Sequence, residues 1–398
     1  MLKRLCRLLL TGALLAAVLS PATLQAQDGI TVSKNTAVVG FPTSIGFSLA
    51  AASDSEITDI RLHYTTNRQS FAQVTSEVYI DFTRASSVDI YWTLDMARLG
   101  GLPTGITIDY WWTLANADGS RLQTEAVRIN YDDNRYVWKS LIQGDITLYW
   151  YNGDQAFAGE LMGATQAALV RLQKDTGAHL TQAIDLYIYA SAEDLRASMI
   201  NSSEWTGGVA FTRYNTISIG IASYNLAWGK RAIIHELAHM VTHQMTFNPY
   251  STIPTWLNEG LSMYAEGDLD SVYRTALLRA IAGETLISVR GLSSPFSAFT
   301  TLSYQSYAQS YSLVSFLISE YSEDSMFQLL GTFKQGASYD DAFLSVYGFN
   351  LDDLNDLWRD YVSARDMYMN VTLISLIVLV TGGFIIAVFW LWWRPRRV

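Results

Sequence analysis

Apolar residues recur along the chain in distinct rhythms, and each rhythm predicts a different kind of element. From Ile30 to about Tyr131 they come in short β-rich runs, at 44–49, 57–64, 87–93, 106–113 and 125–131. The run Ile106-Thr107-Ile108-Asp109-Tyr110-Trp111 alternates like a half-buried strand, and Asn116-Ala117-Asp118-Gly119 carries hairpin-turn chemistry. Roughly one hundred residues of this kind predict an immunoglobulin-like β-sandwich over residues 27–133. Asp132-Asp133-Asn134 marks a change of composition and the expected boundary. Beyond it the rhythm mixes: a strand at 146–151, an amphipathic helix over about 156–174, a strand at 184–189, a helix from Ala192 and a strand at 217–221. Strands interspersed with helices predict an α+β domain, residues 134–366.

Two further rhythms stand out. Residues 231–246 contain no Gly or Pro, and Ile233, Ile234, Leu237, Ala238, Met240 and Val241 wrap most of a helical circumference. Such a helix belongs in a core, where ionisable groups are normally excluded. It nevertheless carries His235, Glu236, His239 and His243. At the far end, residues 371–393 hold no charge and are long enough as a helix, at about 1.5 Å per residue, to span roughly 30 Å of hydrocarbon. Arg394, Arg396 and Arg397 follow at once. By the positive-inside rule, residues 394–398 are expected as a cytoplasmic tail and everything upstream as an extracytoplasmic ectodomain, held in the cell membrane by one span.

Composition sharpens these expectations. The 398 residues are 49% hydrophobic and 13% aromatic, enough for real cores and not for a disordered chain. The one cysteine, Cys6, lies in an expected export signal, residues 1–26: Lys3, Arg4 and Arg7, an apolar stretch at 8–19, then the small-residue pattern Leu24-Gln25-Ala26. The processed chain would then have no disulfide and no thiolate ligand. Removing the three basic residues of the signal takes the net charge from −10 to −13, and setting aside the three tail arginines gives −16 for the exported part. So acidic a chain is unsuited to nucleic acid.

The chemistry lies in the histidine helix. His235 and His239 are four positions apart and share one helix face, the geometry of a zinc-binding pair. A third histidine, His243, lies about 12 Å along the axis from the first and cannot share one ion with it; it is left a supporting or structural part. A catalytic zinc site needs a third protein ligand and a position for water. Glu259, in Thr255-Trp256-Leu257-Asn258-Glu259-Gly260, is the candidate, with Pro254 placed to open a second helix. Glu236, one helical step off the ligand axis, is placed to serve as the base. His63 stands alone in the β-rich part and is read as structural or surface.

His235-Glu236-Leu237-Ala238-His239 followed by Trp256-Leu257-Asn258-Glu259-Gly260-Leu261-Ser262 resembles the gluzincin metallopeptidases, within them the bacterial peptidase MA-like family, over about 136–361. Tyr307-Ala308-Gln309-Ser310-Tyr311 and Tyr339-Asp340-Asp341-Ala342-Phe343 extend the likeness. The resemblance implies a thermolysin-like α+β peptidase domain, one Zn²⁺ held by His235, His239 and Glu259, and Glu236 as general base. Related aminopeptidases stabilise the oxyanion with a tyrosine in Tyr-x-Lys-Gly, which maps to Tyr307, with Gln309-Ser310 in place of Lys-Gly and Tyr311 or Tyr304 as alternatives. They anchor a free amine with a glutamate in Gly-x-Met-Glu-Asn, whereas here Gly207-Gly208-Val209-Ala210-Phe211 holds no acid. The expectation is therefore a membrane-anchored, extracytoplasmic zinc endopeptidase acting on peptide or protein substrates. The alternatives are an aminopeptidase and a catalytically silent binding protein on a peptidase scaffold, with the β-rich part as spacer or recognition module.

Overall fold

The structure, a computed structural model, describes residues 25–27, 29–67, 74–200, 207–297 and 299–364. The first part is all β: β1 (Gln25–Gln27), β2 (Ile30–Gly40), β3 (Ser44–Thr66), β4 (Ser76–Tyr79), β5 (Ala85–Asp95), β6 (Ile106–Asn116), β7 (Arg121–Gln123) and β8 (Val127–Tyr131). Strand β6 alternates along its whole length, sending Ile106, Ile108, Tyr110, Trp112 and Leu114 inward. The hairpin turn forms where expected, with Gly119 at φ +85 and its N–H bonded to the Asn116 carbonyl.

Two separate sheets are not what forms. The 23-residue strand β3 pairs with β2 and β5 through its first half and with β4 and β6 through its second, so all eight strands belong to one sheet. The halves fold over one another: Phe47 meets the edge of Tyr110 at 4.9 Å, and the Trp112 indole N–H donates to Asn35 across the gap. The reason is the stretch 52–57, where the register shifts and the chain read as two strands runs on as one.

The second part comprises β9 (Lys139–Gln143), β10 (Ile146–Trp150), α1 (Gln155–Thr176), β11 (Ile184–Tyr189), α2 (Ala192–Arg196), β12 (Gly208–Phe211), β13 (Thr216–Gly220), α3 (Leu226–Thr246), α4 (Thr255–Glu266), α5 (Ser271–Ala282), α6 (Val289–Leu292), α7 (Thr300–Tyr321), α8 (Glu323–Lys334), α9 (Tyr339–Tyr347) and a last helical segment, 351–364. Its sheet runs β12-β13-β11-β10-β9, parallel at the centre and antiparallel at both edges. Helix α3 packs on β12, β13, α1, α4 and α8, which is why its apolar residues encircle it. At the junction of the two parts Asp133 is fully buried, its carboxylate accepting from the Arg135 guanidinium and from the Tyr189 hydroxyl.

The membrane span, and with it the single-pass placement in a cell membrane, is corrected. No helix among the described residues is long and apolar enough to cross a membrane. The longest, α1 and α7 with 22 residues each, have the length but interleave polar residues. The segment 351–364 is amphipathic, with Leu351, Leu354, Trp358 and Val362 buried against the core and acidic residues outward. The run 371–393 and the tail 394–398 lie outside the described residues. So does most of the expected export signal; Gln25 and Ala26, at its end, pair in β1 with Val32 and Thr31 of β2.

Candidate metal centre

Two helices build the centre. Helix α3 enters the core past Gly229, where a Cβ would meet Ile221 at 2.4 Å. Helix α4 begins straight after Pro254, as the sequence predicts. Trp256 and Leu257, both fully buried, seat its first turn, and burial of large apolar side chains like these contributes about 2–3 kcal/mol each. Gly260 lets α4 lie directly on α7: a Cβ there would meet the Ser310 carbonyl oxygen at 2.4 Å. That close approach sets the depth at which Glu259 faces α3.

The result is a triangle of donor atoms. His235 Nε2 and His239 Nε2 are 3.2 Å apart, and Glu259 Oε2 lies 3.5 Å from each. Ligands about 2.0–2.1 Å from a tetrahedral zinc sit about 3.3–3.4 Å from one another, so the triangle has the size of one face of such a shell. The outer nitrogens settle the protons. His235 Nδ1 lies 2.8 Å from Glu266 Oε1, an acceptor, and so donates to it. Ser262 donates its hydroxyl proton to the Asn258 carbonyl at 3.1 Å and accepts from His239 Nδ1–H at 3.0 Å. In the neutral form that binds a metal, both imidazoles therefore turn a lone pair inward, and Glu259 Oε2 is buried with no hydrogen-bond partner among the described residues. In that form three acceptors converge with no donor between them, and two nitrogens with one carboxylate oxygen suit zinc.

The electrostatics agree. Burial disfavours a charged His235, but Glu259, Glu266 and Glu236 outweigh it and carry the imidazole up to about 10; His239 rises for the same reason. Burial pushes the Glu259 carboxyl up, and the two histidines pull it further down, below the usual carboxylate range. The pocket demands positive charge, which protons on the imidazoles supply without an ion and a divalent ion supplies in their place. Affinity for such an ion should therefore rise with pH. Glu266 is itself braced, its Oε2 accepting from Arg231 Nε and Nη2 at 3.1 and 3.0 Å.

Glu236 projects toward edge strand β12 with no ion pair among the described residues. Its carboxyl rests on Gly208, where a Cβ would meet Glu236 Oε1 at 2.9 Å and Cγ at 3.1 Å. Gly208→Val, which suits a strand, is therefore expected to push the carboxylate aside and lower cleavage about 10²-fold with zinc content unchanged. Peptide turnover and metal analysis of the purified variant check this, and undiminished turnover refutes it.

Of the three expected tyrosines, Tyr307 lines this cleft of ≈ 640 Å³. Tyr311 lines a different cavity, and Tyr304 packs edge-on against Tyr273. Burial, with the nearby charges of Glu259 and Glu236, raises the Tyr307 phenol, so it stays a donor. The Gln309-Ser310 departure has a structural cause. Gln309 is fully buried and clamps the Ile287 backbone, accepting its N–H and donating to its carbonyl, while Ser310 supplies the carbonyl that Gly260 approaches. His243 lines the cleft outside the triangle, its Nε2 without a partner.

Sequence reasoning named His235, Glu236, His239, Glu259 and Tyr307, and the structure brings all five to one cleft. It missed Ser262, Glu266 and Arg231. Helical spacing held the signal, since Ser262 and Glu266 lie three and seven positions after Glu259 and Arg231 four before His235. Gly208 carried none.

A lone-pair triangle beside a free carboxylate, open to a polar cleft, defines a zinc peptidase-like scaffold. The Peptidase MA superfamily model matches residues 164–364, half of the chain, and the chain belongs to that superfamily. No curated protein matches it. Among solved structures it is similar to an M1 zinc metallopeptidase from Deinococcus radiodurans, at 11% identity over 83% of this chain and 94% of that one, with a TM-score of 0.35. Aminopeptidase A of Legionella pneumophila, in complex with aspartic acid, matches at 8% identity over 82% and 50%, also at 0.35. OgpA from Akkermansia muciniphila matches at 13% identity and 0.21 over 27% of this chain, a match spanning 30% of OgpA's own length. Scores this low carry no functional inference.

Proposed function

We propose that the chain is a zinc-dependent endopeptidase that hydrolyses internal peptide bonds of extended substrates. The observation that carries this is the triangle of His235, His239 and Glu259 with Glu236, which makes no ion pair among the described residues, beside it. His235, His239 and Glu259 would hold a zinc ion, which would supply Lewis acidity for a water and for the scissile carbonyl. Glu236 takes the proton of the attacking water and passes it to the leaving amine. Tyr307 donates its O–H to the oxygen on which negative charge develops. Strand β12, outermost in its sheet, offers its free edge to an extended peptide. Endopeptidase action is supported by the cleft's acids: among the described lining residues they are Glu236 and Glu259, both already used, leaving none to anchor a free amine.

The test is a product profile of the zinc-loaded chain on a diverse peptide library, with and without chelator. Internal cleavage of blocked peptides, abolished by chelator and restored by zinc, is expected. Release of single residues from free amino termini would point to an aminopeptidase. A chain that binds zinc and cleaves nothing would point to a binding protein.

A further inference from the structure

The cleft has one cation that the chemistry above leaves unused. Arg213, two residues past the end of β12, lines the same cleft as Glu236; no other Lys or Arg does so among the described residues. It makes no ion pair or hydrogen bond with them, and its side chain is exposed. A second observation points to the same place. His243 lines the cleft near enough for the Arg213 charge to help push its imidazole down to about 4, after burial, and its buried Nε2 has no partner.

Position along the cleft follows from the two elements that wall it. Gly208, at the start of β12, sits against Glu236; Arg213, just past its end, sits near His243. Residues 236 and 243 are about 10 Å apart along α3 at 1.5 Å per residue. That distance is about three residues of extended peptide at 3.3 Å each.

We propose that Arg213 and His243 form a carboxylate subsite that selects substrates bearing an acidic group two to four residues from the scissile bond. The exposed guanidinium pairs with the carboxylate, and His243 walls the same end of the cleft. The carboxylate can be an Asp or Glu side chain or the substrate's own carboxyl terminus, since the recognising chemistry is the same. The substrate class rests on the peptidase reading above, whereas the test reads binding as well as cleavage.

The experiment uses zinc-loaded chain and a series of acetylated, amidated peptides carrying a single Asp, or Asn in its place, at each position around the cleaved bond, together with free-acid versions. Wild type is expected to bind and cleave the best Asp peptide about tenfold better than its Asn counterpart, less so at high salt. In Arg213→Ala the Asp/Asn ratio falls to about one, in Arg213→Glu it inverts, and Arg213→Lys keeps part of it. A preference seen only in free-acid peptides assigns the subsite to the carboxyl terminus. Equal ratios in wild type, or a preference that survives Arg213→Ala, overturn the subsite. Arg213-dependent binding of acidic peptides without cleavage sustains the subsite and removes the peptidase reading instead.

Discussion

Glu236→Gln is expected to bind one zinc per chain and to lose about 10³-fold or more in turnover. The amide has nearly the volume of the carboxylate, so the Gly208 cradle and the packing of α3 remain. The donor atoms of His235, His239 and Glu259 are untouched, so the ion stays. What disappears is the proton acceptor, and a positioned general base contributes about 10²–10⁴ in rate. Metal analysis with turnover of a blocked peptide reads both quantities at once. A variant that keeps full turnover sinks the mechanism, while one that loses zinc as well would show that Glu236 touches the ion.

Glu259→Ala should fail differently. It removes one corner of the triangle and leaves two inward lone pairs, too few for a protein site with an open position. Replacing an outer partner of a ligand typically costs 10–100-fold in metal affinity, and loss of a ligand itself should exceed that. The expected result is zinc-poor protein, no chelator-sensitive turnover, and no upward shift of the unfolding temperature on adding zinc, because an ion stabilises a fold only through binding it. The apo form should remain folded. Trp256, Leu257 and the Gly260 approach to α7 hold α4 in place without the ion. A variant that carries zinc at wild-type affinity would exclude Glu259 as a ligand.

These two predictions separate what could be read along the chain from what could not. Strand β11 at Ile184–Tyr189 and the start of α4 after Pro254 follow from local signals, a β-branched apolar run in one case and a proline at a helix start in the other. Strand β3 did not, because continuity through 52–57 depends on partners on either side, from β2 and β5 to β4 and β6. Tyr307 was one of three tyrosines on one helix, and periodicity could not choose among them. Packing against Phe296 on one side and the cleft on the other did. The apolar run at 371–393 shows the opposite risk: hydropathy alone supplied a membrane span that no described helix provides.

By itself the sequence placed His235 and His239 on one helix face with Glu236 one step away, since residues four apart on a helix share a face through covalent geometry alone. It also placed Glu259, the candidate third donor, beyond a proline-marked turn. Only the tertiary structure decided that Glu259 closes a triangle with sides of 3.2 and 3.5 Å, that Glu266 and Ser262 turn both imidazole lone pairs inward, and that Gly208 and Gly260 permit the approaches on which this depends. The physical reason is range. Helical spacing is written within a few residues, whereas Gly208 and Glu236 are brought together by a sheet edge lying on a buried helix, and no local pattern records where a Cβ would have collided.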